Sequence, residues 1–150
     1  IANDNSDGQL VLSGKMEDLS KLIDILKSKK IKNVLLPVSA PFHCKLMNKA
    51  SDIMKREIEK TDFQESKQIL ISNVTADEIK NKEQLKNLLI DQIENRVRWR
   101  ESVLKMIDNG VNHFIEIGPG KVLSGLIKRI NKNVKMDTIN SESDIKDLKI

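Results

Sequence analysis

The chain has 150 residues and a formal net charge of +4, with 32% of its residues charged and only 3% aromatic. That length suffices for one ordinary domain with its own core, and no run approaches the roughly 18 consecutive apolar residues that a membrane-spanning helix needs. The positive surplus comes from lysines interspersed with acids, and three phenylalanines, one tryptophan and no tyrosine offer few stacking platforms, so nucleic-acid binding is a weak inference and an acidic protein partner fits at least as well.

Residues 3–8 are dense in turn formers and residues 9–13, bracketed by Gly8 and Gly14, are β-prone, which predicts a strand after a tight turn. From Met16 onward, Leu19, Leu22, Ile23 and Leu26 recur at helical spacing, and Lys27, Lys29, Lys30 and Lys32 suit a helix C-terminus. Residues 34–38 read as a second strand, stopped by Pro41, which cannot donate to a ladder. After His43, a helix places Leu46, Ala50, Ile53, Met54 and Ile58 on one stripe. Residues 68–74 read as a strand, followed by a turn through Thr75, Ala76 and Asp77. Leu85, Leu88, Leu89 and Ile93 mark another helix, and a further one starts near Trp99, turns Val103, Met106 and Ile107 inward and closes at Asn109 and Gly110. Residues 111–117 form the clearest buried strand, running through Gly118, Pro119 and Gly120 into a helix carrying Val122, Leu123, Leu126, Ile127 and Ile130. A last short strand falls near residues 134–139, and the charged tail from Ser141 either frays or forms a short helix. Strands alternating with helices predict an α/β layer structure with largely parallel strands.

One of only two histidines, His43, stands on a loop where an apolar, β-prone run ends, a place where catalytic groups of α/β folds concentrate. It reads as a general base or as a histidine capping its loop, and position alone leaves both open. Its neighbour Cys44 points to the opposite side of an extended segment, which argues against a cysteine–histidine pair. No Gly-x-Ser-x-Gly turn occurs in the chain, so half of an active site is expected. Gln92 lies three residues after Leu89 and four after Leu88, on the stripe that should be buried, and either reaches solvent at the helix edge or serves a site. His113 alternates with Val111 and Ile115 and reads as structural, and two histidines with one cysteine make no metal-binding pattern. Residues 118–121 fail as a phosphate-binding loop, because Ile115 and Val122 stand where glycine and a hydroxyl residue are needed. The single cysteine permits no internal disulfide, and with no initiator methionine before Ile1 the chain is expected to be a piece of something larger.

Four ordered blocks carry a family resemblance: residues 3–14, residues 36–47, Val97-Arg98-Trp99-Arg100-Glu101-Ser102-Val103, and residues 116–130, opening Glu116-Ile117-Gly118-Pro119-Gly120-Lys121. Together they resemble the C-terminal half of malonyl-CoA:acyl carrier protein transacylases, which load malonyl units for type II fatty acid synthesis. The resemblance implies an α/β architecture: the C-terminal part of a hydrolase-like parallel-sheet core over residues 39–150, with residues 1–38 belonging to an inserted ferredoxin-like subdomain. It implies that His43 is the base for a serine upstream of Ile1, and that the backbone carbonyl of Gln92 accepts the Nδ1 proton of His43. The carboxylate-binding arginine and the oxyanion hole would also lie upstream. Phe42 matches the position that narrows the acyl pocket toward malonyl, and Lys128 and Arg129 are the candidate docking residues for the carrier protein. Malonyl-CoA is the implied substrate, acyl carrier protein and the missing N-terminal half the implied partners, with no bound cofactor, no metal, no nucleic acid and no membrane. A bacterial cytoplasm or plastid-type stroma suits such a pathway, and secretion does not. The fragment alone is expected to be inactive and to expose apolar faces beside His43. A polyketide synthase acyltransferase domain and a non-catalytic interaction fragment are the alternatives.

Overall fold

The computed structural model describes residues 1–148. Strands β1 (Asn3–Ser6) and β2 (Gln9–Val11) pair antiparallel in the register Asn3 to Val11, around a turn where Gly8 takes φ 71°, a conformation open to glycine at little cost. The outer edge of β1 is also used, since Val97 N–H donates to the Ala2 carbonyl at 2.7 Å and Asp4 N–H donates to the Val97 carbonyl at 3.0 Å. Helices α4 (Trp99–Asp108) and α5 (Val122–Ile130) pack on β1 and bury Ala2 and Ser6.

Helix α1 (Met16–Ser28) has Glu17 and Asp18 in its first turn and Lys27 in its last, the arrangement that complements the helix dipole. It is amphipathic, yet none of its residues is fully buried and it packs against no other named element among the described residues. Helix α2 (Asn48–Lys60) follows a single 3₁₀ turn at Lys45–Met47 and lies against α3 (Lys82–Asp91), whose N-cap Asn81 accepts the Gln84 N–H at 2.9 Å.

Two expected strands do not form. In residues 34–38 no other stretch of the described chain runs alongside to complete a ladder, and Val34 remains 75% exposed. Residues 68–74 contribute one isolated bridge, Ile71 to Glu78. Ser72 diverts the backbone there: its Oγ accepts from Val74 N–H and Thr75 N–H, and its carbonyl accepts from Ala76 N–H, closing a turn in place of an extended edge.

The parallel pair β3 (His113–Ile117) and β4 (Lys135–Ile139) is joined by α5, so the sequence from β3 to β4 is one βαβ unit in continuous register from His113–Lys135 to Ile117–Ile139. Val103, Ile127 and Val134 are its buried centre, with Trp99, Met106, Ile107, Phe114, Ile130 and Met136 packed around them. A short helix α6 (Glu142–Asp147) closes the chain on β4, started by a capping box between Ser141 and Asp144.

Glu116 links β3 to α5. Its carboxylate accepts from Leu123 N–H at 3.0 Å, Ser124 N–H at 2.7 Å and Ser124 Oγ at 2.6 Å, so an acid on the strand satisfies the open first turn of the helix. Burial opposes its ionisation, but the bonds from Ser124, Leu123 and Val122 outweigh that and hold its carboxyl below the usual glutamate range. A carboxyl whose folded pKa lies below its unfolded value, about 4.3, stabilises fully above that value and loses the contribution as pH falls through the folded pKa. Glu116→Gln should therefore lower stability by about 1–2 kcal/mol at neutral pH. Urea unfolding should show that difference shrinking as the pH drops below about 4; a pH-independent difference would refute the charged cap.

Candidate functional site

His43 lies in the loop between the unpaired 34–38 segment and the 3₁₀ turn, with φ 58° in the left-handed region that non-glycine residues rarely occupy. Its Nδ1 lies 2.8 Å from the carbonyl oxygen of Gln92. A carbonyl can only accept, so Nδ1 carries the proton, and in the neutral ring Nε2 is left with its lone pair. No hydrogen bond engages Nε2 among the described residues.

The acceptor is available for a reason built into helix ends. Gln92 is the C-cap of α3, its N–H bonded to the Leu88 carbonyl at 3.0 Å, and the carbonyls of a last turn have no intrahelical donor. The following turn is held by Glu94 N–H and Asn95 N–H, both donating to the Asp91 carbonyl, and by Asn95 Nδ2 at 2.8 Å from the same oxygen. Gln92 is half-buried at the end of the helix rather than on a buried stripe within it. Its side-chain Oε1 takes a 3.4 Å contact from Asn73 Nδ2, a residue that no pattern in the sequence singles out.

Phe42 precedes His43 with 48% of its surface exposed. Leu36, Val38 and Leu46 nearby in the chain are also exposed, so apolar surface flanks the histidine. The Cys44 thiol donates to the Pro41 carbonyl at 3.1 Å and lies 3.6 Å from Ser13 Oγ, which uses it within the loop and leaves it unbonded to His43. His113 sits apart: its Nε2 is 2.7 Å from Asp137 Oδ2 across the β3–β4 pair. That hydrogen bond, aided by Lys135 at 3.4 Å against the opposing effect of desolvation, holds the Asp137 carboxyl below its ordinary range.

Lys128 and Arg129 occupy the last turn of α5. Lys128 Nζ donates to the Val134 carbonyl at 2.9 Å, and Arg129 Nη1 donates to Gln9 Oε1 at 2.5 Å; neither is brought to His43. A cavity of about 320 Å³ lies between α4, α5, β3 and the 69–73 segment, with Asn73, Trp99, Phe114 and Glu116 in its wall. Among the described residues, no group of three or more His, Cys, Asp or Glu side chains could hold a metal ion, and no helix is long and apolar enough to cross a membrane.

No family model matches the chain. It is 40% identical over 146 residues to the malonyl CoA-acyl carrier protein transacylase of Staphylococcus aureus (strain COL), a match covering 97% of this chain and 47% of that protein. A crystal structure of the acyl-carrier-protein-S-malonyltransferase of Bartonella henselae superimposes with a TM-score of 0.92 at 41% identity, covering 98% of this chain and 47% of that one. A structure of a type II polyketide acyl carrier protein in complex with its malonyl-transacylase matches with a TM-score of 0.90 at 34% identity, covering 97% and 47%. The chain spans about half the length of the curated relatives it matches, and is related over nearly all of its own length to the C-terminal half of malonyl CoA-acyl carrier protein transacylases.

The left-handed backbone at His43 generates a prediction independent of chemistry. His43→Gly and His43→Ala both remove the bond to Gln92, but only alanine retains a Cβ in a conformation that disfavours one. His43→Gly should be the more stable of the two by about 1 kcal/mol. Equal urea midpoints, or a more stable alanine variant, would show that the loop relaxes freely.

Proposed function

We propose that this chain carries the proton-relay half of a malonyl transferase site, in which His43 serves a serine located in the part of its relatives' length that the chain does not cover. The observation that carries the reading is the 2.8 Å contact between His43 Nδ1 and the Gln92 carbonyl, because it leaves Nε2 as the basic nitrogen of a neutral ring. Nε2 accepts the serine proton as the serine oxygen adds to the malonyl thioester carbonyl. When the tetrahedral adduct breaks its carbon–sulfur bond, Nε2–H returns that proton to the departing coenzyme A sulfur. In the second half-reaction the phosphopantetheine thiol of an acyl carrier protein gives its proton to Nε2 and attacks the seryl ester, and the serine oxygen leaves with the proton. Throughout, the Gln92 carbonyl keeps Nδ1–H in place, a dipolar partner doing what a carboxylate does in other triads.

On this reading residues 39–150 belong to a hydrolase-like core and residues 1–38 to an inserted ferredoxin-like subdomain, with arginine and oxyanion-hole donors supplied from outside the chain. The 150 residues alone transfer no malonyl group. Phe42 narrows the acyl pocket against a branched methyl, a discrimination of about 1–3 kcal/mol. Bacterial cytoplasm or plastid-type stroma would house the reaction. The complex between a malonyl-transacylase relative and a polyketide carrier protein favours a second reading of the partner, in which the same transfer supplies a polyketide pathway.

Two substitutions test the reading in the full-length protein. His43→Ala should slow acylation by malonyl-CoA by roughly 10²–10⁴-fold, read by rapid-quench mass spectrometry, and near-wild-type acylation would remove His43 from the mechanism. Lys128 is tied to the carbonyl of the buried Val134, whereas Arg129 bonds only the side chain of Gln9 at the surface, so Arg129 is the cleaner probe of docking. Arg129→Glu should raise the KM for acyl carrier protein in a salt-dependent way while leaving hydrolysis of the malonyl-enzyme unchanged. An unaltered KM would eliminate this surface.

A further inference from the structure

The atom that touches His43 belongs to the backbone of Gln92, so any residue at position 92 could in principle provide it. The structure nevertheless gives the Gln92 side chain a use of its own. Its Oε1 is the acceptor for Asn73 Nδ2 at 3.4 Å, 19 residues away in the chain. We infer that Asn73 and the Gln92 side chain form a positioning pair, which fixes the tilt of the α3 C-terminus and so keeps the Gln92 carbonyl aimed at His43 Nδ1. For its catalytic consequence, though not for its geometry, this rests on the proposed role of His43.

The backbone N–H groups of the turn after α3 bond only within it. Its own bonds, Ile93 N–H to the Ile90 carbonyl and Glu94 and Asn95 N–H to the Asp91 carbonyl, shape the turn internally but connect it to nothing else. The next backbone bonds to another part of the fold come five residues after Gln92, where Val97 joins the β1 edge, so the intervening turn can tilt, and the Gln92 carbonyl with it, unless a side chain holds it.

Asn73, by contrast, stands on a loop fastened at several points. Its own carbonyl accepts Arg98 N–H at 2.8 Å, and Arg98 Nη1 donates to the Thr75 carbonyl at 2.9 Å. Asp77 accepts from Lys105 at 3.3 Å, while its carbonyl accepts Ser72 N–H at 2.9 Å. Arg98 in turn pairs with Glu101, which also holds Arg96 at 2.6 Å. Arg98 caps α4, the helix that carries the fully buried Val103. The tether therefore runs from the core through α4 and the 72–77 loop to Asn73, and from there to Gln92 and the ring.

A contact of this length is energetically modest, but the quantity it controls is position. Misplacing a reacting group by about 1 Å can cost 10²-fold in rate, far more than the bond contributes to folding. His43 increases the need for such a hold, because its left-handed backbone offers a narrow conformational well.

The test uses the full-length protein with ¹⁵N-labelled histidine and four variants: Asn73→Ala, Gln92→Met, the two combined, and Gln92→Glu, which keeps an acceptor for Asn73. Gln92→Met retains the backbone carbonyl and the side-chain volume while removing the acceptor. Solvent exchange of the His43 Nδ1 proton should accelerate about 10-fold in each single variant, no further in the combined variant, and return toward wild type in Gln92→Glu. Malonyl transfer should lose about 10-fold in kcat with the malonyl-CoA KM within about twofold, the signature of a group that acts on the transition state. The His113 signal, held by Asp137 on another part of the fold, reports whether each variant is folded; if one single variant disturbs it, the other decides. Unchanged exchange in the folded single variants, or additive effects in the combined one, would overturn the inference. Wild-type protein that transfers no malonyl group while the ring spectra behave as described would instead overturn the functional reading and leave the positioning pair standing.

Discussion

A neutral imidazole is a base at only one of its nitrogens, and which one depends on where the proton of the other is held. Here the acceptor is a carbonyl left free by the end of α3, and this single bond between His43 and Gln92 determines the tautomer, the ring orientation and the direction of the lone pair. An aspartate in this place would add a negative charge and its desolvation cost. A peptide carbonyl achieves the orientation with a neutral dipole, at the expense of depending on how steadily the backbone that bears it is held.

The rest of the architecture bears on that steadiness. The βαβ unit from β3 to β4 supplies the buried centre, and α4 rests on it through Val103, Trp99 and Met106. From α4, Arg98 and Lys105 reach out to the 72–77 loop, so the rigid part of the molecule is connected by polar contacts to the end of α3. By comparison, α1 and residues 34–38 present apolar side chains to solvent, Val34, Leu35 and Val38 being more than half exposed, and His43 follows five residues after Val38. The histidine thus joins an unsupported apolar face to a supported polar one.

Legibility in the sequence followed the range of the forces. Helical spacing of Leu19, Leu22, Ile23 and Leu26, and of Val122, Leu126, Ile127 and Ile130, marks α1 and α5 because amphipathic periodicity is a local signal. Residues 34–38 and 68–74 carry equally β-prone residues and form no strand, because pairing is decided by neighbours far away in the chain, and Ser72 offers its own backbone a competing turn. The Glu116 cap of α5 was equally unreadable, since its carboxylate reaches helix residues seven and eight positions later from a strand. Gln92 reads in sequence as a polar residue on an apolar stripe, whereas its place is the helix terminus; the pairing of its carbonyl with His43 is implied by the family resemblance alone, because nothing local encodes it. Asn73 is an ordinary turn residue in sequence and acquires a role only through a contact made across 19 residues.

The most direct test is a crystal structure of the full-length protein trapped with malonyl-CoA. The account predicts a malonyl ester on a serine, His43 Nε2 within hydrogen-bond distance of that ester oxygen, and Nδ1 still on the Gln92 carbonyl. A malonylated protein whose imidazole has turned away from both oxygens would contradict it.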